Sequence, residues 1–82
     1  MMSDRDLALK ALVGYHNYAQ TSVRDAQSTV QGCVEMAGLS AGWRAVCPID
    51  RRVPANSVRV GQVRVHPGDS EYPLFVVRGM FA

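Results

Sequence analysis

The sequence predicts an α+β domain, a long N-terminal helix packed on a small C-terminal antiparallel β-sheet or hairpin. Three observations carry that reading. Apolar and small residues recur every three or four positions through residues 3–38. From Ser57 onward the period changes to two, and a turn sequence, His66-Pro67-Gly68-Asp69, separates two strand-like runs.

The helix stripe comprises Ala8, Leu12, Tyr15, Ala19, Ser22, Ala26, Val30, Cys33 and Ala37, and the opposite face carries Asp6, Lys10, Asn17, Gln20, Arg24, Ser28, Gln31 and Glu35. Ser3 is placed to cap the N-terminus with Asp6 three residues on, and Met2 and Leu7 take the staple positions. Gly38 suits a left-handed residue just past the helix, with Leu39 closing back on Val34. A straight helix of this length reaches about 50 Å, whereas a compact domain of this size is roughly 30 Å across. It must therefore protrude, kink or break. Gly14 is one weak point, and Ser22 with Asp25 offers a second capping box at another. The stripe crosses Ser22 without a phase shift, which favours a continuous helix, straight or kinked near Ser22, over a broken one.

Most of the stripe is small, so another element can approach it closely. The first expectation is the chain's own sheet. The second is self-association through Ala19, Ser22, Ala26 and Val30, giving a homodimer.

Residues 39–56 read as a connection. Ser40 can cap a short helical turn containing Trp43, or Trp43, Ala45 and Cys47 can alternate as a strand, and Pro48 ends either one. Residues 57–82 form the β-hairpin region. Val58 and Val60 alternate with Arg59, and Val63 and Val65 with Arg64, so Gly61-Gln62 marks a bulge in one strand or a tight turn between two. The last strand carries Leu74, Val76 and Met80 on one face and Phe75, Val77 and Phe81 on the other. Apolar side chains on both faces predict a strand covered on both sides.

The 82 residues make one domain, and at this size a chain buries only about 60–65% of its unfolded surface. Formal charge is +2, with the net positive charge confined to residues 39–82. Three of the first six residues are charged, no apolar core of a secretory leader is visible, and no run is long enough to cross a bilayer. The expected compartment is cytoplasmic, with no membrane partner. Cys33 and Cys47 then read as small apolar side chains, with a disulfide between them as the alternative.

Catalytic signatures are lacking. The only thiols are Cys33 and Cys47 and the only imidazoles His16 and His66, none in a nucleophile–base arrangement. These four lack the short paired spacing of a zinc site, and Asp69 and Glu71 flank a turn rather than forming an acid–base pair. Gly61, Gly68 and Gly79 do not form a phosphate loop opening a helix. The sequence therefore predicts no enzyme, no metal and no cofactor.

Two constellations remain as partner-binding candidates. Arg51 and Arg52 lie in the connection, Arg59 and Arg64 on a strand region, and Arg78 near the end. A bulge at Gly61 puts Arg59 and Arg64 on one solvent face, where their planar forks fit carboxylates or phosphates. Tyr18 flanks the helix stripe and has the chemistry of an interface residue. The function expected is a small non-catalytic module that binds another protein, as an inhibitor or adaptor of the size that phages and mobile elements encode. A nucleic-acid-binding arginine ribbon is the alternative, followed by a structural subunit of an assembly. The small net charge weighs against strong non-specific DNA binding.

Overall fold

The computed structural model describes residues 14, 16–19, 22–65 and 70–79. Their elements are β1 (His16–Ala19), α1 (Val23–Met36), β2 (Trp43–Val46), β3 (Ser57–Val65) and β4 (Ser70–Arg78). The strands form one sheet in the order β1-β3-β4-β2. β3, β4 and β2 make an antiparallel meander in space, and β1 adds in parallel along the outer side of β3. One helix on a small, mainly antiparallel sheet is the α+β arrangement that the sequence predicts.

The helix is shorter than its stripe. Within residues 3–38 the described helix covers only Val23–Met36, and His16–Ala19 is a strand instead. Gly14 has φ +86°, which no right-handed helix passes through. Ser22 is extended at φ −70°, ψ 153°, and its Oγ accepts from the Asp25 N–H at 3.1 Å. The helix thus begins at the Ser22 N-cap, the N-cap half of the second capping box, and the chain before Ser22 pairs with β3. The cap at Ser3, the staple and the stripe residues Ala8, Leu12 and Tyr15 lie outside the described residues. So do the turn at 66–69 and Met80 and Phe81.

At the other end Gly38 is left-handed at φ +74°. Leu39 N–H donates to the Val34 carbonyl and Gly38 N–H to that of Glu35, both at 3.0 Å. This is the Schellman closure predicted from Gly38 and Leu39. Leu39 also packs against the core, so the residue that closes the helix end also anchors it to the sheet.

The core lies between α1 and one face of the sheet. Ala26, Val30 and Val34 come from the helix; Trp43, Ala45, Cys47, Val58, Val60, Val63, Leu74 and Val76 come from the strands and the residue after β2. Trp43, Ala45 and Cys47 alternate inward, which settles residues 43–46 as a strand rather than a helical turn. Pairing shifts register between Arg59 and Gly61, so the β3 irregularity is a bulge and not a turn. Val60 and Gly61 are consequently both buried, and alternation resumes with Val63 inward and Arg64 outward. On β4, Leu74, Phe75 and Val76 are all buried in succession. Phe75 points away from the helix between two residues that point toward it and is buried as well, but Pro73 and Val77 on that far face are only half-buried, so burial there is confined to Phe75 among the described residues.

Candidate functional site

After α1 ends, the 37–42 turn sends β2 back alongside it, held by Trp43 N–H to the Leu39 carbonyl at 2.9 Å. An open groove of about 1090 Å³ runs between the two. One wall is a single helix face, Arg24, Gln27, Ser28, Gln31 and Glu35, spaced at three and four residues. The other wall is β2 and its flanks, with Trp43, Ala45 and Cys47 at its base and Ile49 at the rim. Ile49 is 75% exposed and borders the buried Trp43 and Cys47 within this lining, so the groove carries an apolar side chain at its rim.

β2 is an edge strand, with β4 on one side and this groove on the other. In an antiparallel ladder alternate residues direct both backbone groups to the same side. Those of Ala45 turn outward, and two helix side chains meet them. Gln31 Oε1 accepts from the Ala45 N–H at 2.8 Å, and Gln27 Nε2 donates to the Ala45 carbonyl at 3.2 Å. Because the N–H can only donate and the carbonyl only accept, both amide orientations are dictated by the backbone. Cys47 lies nearby with a free thiol, which burial pushes above its ordinary pKa. Cys33 is also unpaired. Cys33 sits two residues, about 200° of helical rotation, from Gln31 and so faces away from the β2 side.

The predicted arginines do not share one site. Arg59 and Arg64 lie on the sheet face opposite α1, brought into phase by the bulge at Gly61. Both are engaged within the chain. Arg64 binds Glu71 Oε1 through Nε at 3.3 Å and a terminal nitrogen at 2.8 Å, and Arg59 reaches the Gly61 carbonyl and Gln62 Oε1 at 3.3 and 3.2 Å. Arg51, at a left-handed φ of 62°, donates to the Glu71 carbonyl at 2.6 Å and lies 4.2 Å over the Tyr72 ring. It pins the 47–56 connection to β4. Arg52 sits 3.9 Å from Asp50, and Arg78 is opposite Trp43 in register and exposed.

Tyr18 and Ala19 belong to β1, not to a helix. Ser22 is the exposed cap residue, and Ala26 and Val30 are fully buried in the chain's own core. Ala26 and Val30 therefore pack closely within the chain, while Ala19 and Ser22 do not share a helix face with them. The groove residues Gln27, Gln31, Trp43 and Ile49 are what sequence reasoning passes over. Gln31 has the pattern of a solvated helix residue, and its partner is a main-chain group that no side-chain pattern marks.

Among the described residues no group of three or more His, Cys, Asp and Glu side chains converges, and no helix is long and apolar enough to cross a membrane. Comparison with protein-family models, with curated proteins and with solved structures yields no match.

Proposed function

We propose that this chain is a non-catalytic module that binds another protein, as an inhibitor or adaptor, through the groove between α1 and β2. The observation that carries the reading is the exposure of Ile49 at the rim of a groove floored by Trp43 and Cys47. Apolar anchors set among polar rim groups are how a protein interface concentrates its affinity. The free thiols support a reducing, cytoplasmic setting. The arginine face favours a second reading, nucleic-acid binding, because the bulge aligns Arg59 and Arg64. Their engagement with Gln62 and Glu71 weighs against it.

The test places a photo-crosslinking residue at Ile49 in the native host, identifies the adduct, and measures binding of that purified protein. Burying an Ile side chain contributes about 1.5–3 kcal/mol, so Ile49→Asp should weaken binding by at least about tenfold. Val53, 73% exposed but outside the groove, supplies the control, and Val53→Asp should bind as the native chain does. No adduct at Ile49, or equal binding by all three proteins, would overturn the groove reading.

A further inference from the structure

The glutamine pair on the β2 edge does more than decorate a helix. An edge strand presents unpaired N–H and C=O groups that template pairing with another chain. Here the outward donor and acceptor of Ala45 are both taken, by Gln31 and Gln27, side chains one helical turn apart. Gln31 supplies an acceptor where a neighbouring strand would place a carbonyl, and Gln27 supplies a donor where it would place an N–H. We propose that Gln27 and Gln31 are a guard that stands in for a further strand on β2, and that without it this edge pairs with β2 of a second copy of this chain.

The second copy is the favoured occupant because the outward pattern of this edge, once uncovered, is self-complementary. A two-fold axis at Ala45 sets the N–H of one copy against the carbonyl of the other twice over, which is the symmetric contact of an isologous dimer. The strand is short, four residues, so Ala45 is a central position of the edge. Occupying its two groups therefore interrupts pairing at the middle of the edge. The inference is independent of which protein the groove binds. It concerns what keeps the edge from closing on itself.

The polarity of the pair provides the test, because a packing role would not distinguish donor from acceptor. The matched variant, Gln27→Lys/Gln31→Glu, keeps a donor toward the carbonyl and an acceptor toward the N–H. The reversed variant, Gln27→Glu/Gln31→Lys, exchanges both. Gln27→Ala/Gln31→Ala removes both. Sedimentation equilibrium of the full chain at micromolar concentrations is read beside hydrogen exchange at the Ala45 amide. The native chain and the matched variant should stay in the same association state with a protected Ala45 amide. The reversed variant should self-associate at least about tenfold more tightly, and so should the double alanine if it folds. If the matched and reversed variants associate equally, or if the matched variant loses the fold, the guard is not what these residues provide. A folded double alanine that associates no more than the native chain would overturn the proposal equally.

Discussion

Leu39 donates its backbone N–H to the Val34 carbonyl at 3.0 Å, across a glycine at φ +74°. The bond holds only while Gly38 keeps a conformation that L side chains reach at a cost of roughly 1–2 kcal/mol. A Cβ at Gly38 would meet nothing within 4 Å, so that cost is purely one of backbone conformation. Gly38→Ala should therefore destabilise the protein by about 1 kcal/mol. In a domain of this size the melting temperature should fall by roughly 4–8 °C.

Gly32 provides the opposite case. It lies inside α1, where a Cβ also meets nothing within 4 Å. Alanine there gains helix propensity and restricts the unfolded chain, which should stabilise by about 0.4–1 kcal/mol. Thermal unfolding of the two variants should shift in opposite directions. A rise with both variants would show that the α1 C-terminus is not held by the Gly38 closure, and a fall with both that alanine at Gly32 is strained.

Ala26 is fully buried where α1 meets the sheet. Ala26→Leu adds three carbons to a contact with no room for them, and overpacking of this kind costs about 1–3 kcal/mol. An unchanged melting temperature would mean that the helix does not sit on the sheet at this point.

Both ends of α1 are legible because their signals are local. Ser22 with Asp25 and Gly38 with Leu39 act within a few residues, through side-chain and backbone geometry that the sequence states directly. β1 is not legible. Ala19 and Ser22 fit the helical stripe by spacing alone, whereas residues 16–19 are a strand because they pair with residues 61–64, more than forty positions away. The alignment of Arg59 with Arg64 is readable, since a bulge at Gly61 has only that consequence. Their engagement is not, because it depends on where β4 brings Glu71. The groove is hidden for a similar reason: Gln31 answers a backbone group on a strand that returns along the helix.

Burial raises the pKa of the Cys47 thiol above its ordinary value of 9.0. A proton held more tightly in the folded than in the unfolded state contributes stability that is present below the unfolded value. That contribution is lost as pH rises through the folded value. The native protein should therefore lose stability above about pH 9 relative to Cys47→Ala, with the two curves running parallel at neutral pH. Denaturant midpoints across this range check it. At about pH 8 the Cys47 thiol should also react more slowly with a thiol reagent in the folded protein than in denaturant, because the thiolate is the reacting form. Equal rates would place Cys47 in solvent.

The arginine face separates protein binding from nucleic-acid binding. Each phosphate neutralised on duplex DNA adds about 0.9 to the slope of log affinity against log salt. Four arginines would then lower affinity about 100-fold between roughly 50 and 200 mM salt. Four such contacts are not at hand among Arg51, Arg52, Arg59 and Arg64. Arg64 binds Glu71, Arg52 lies beside Asp50, and Arg51 is committed to the Glu71 carbonyl and the Tyr72 ring. The Arg64–Glu71 pair is about half exposed on both sides, so it contributes at most about 1 kcal/mol to stability. It still halves the net charge that Arg59 and Arg64 present together. Titration of duplex DNA, single-stranded DNA and RNA at low salt should give dissociation constants weaker than about 100 μM, the weak end of ordinary non-specific binding. Glu71→Gln frees Arg64 without removing it and should strengthen whatever electrostatic binding exists, while Arg59→Ala/Arg64→Ala should weaken it. If the native chain binds any of the three tightly and the double alanine abolishes that binding, the partner is a nucleic acid and the groove reading gives way to the arginine ribbon.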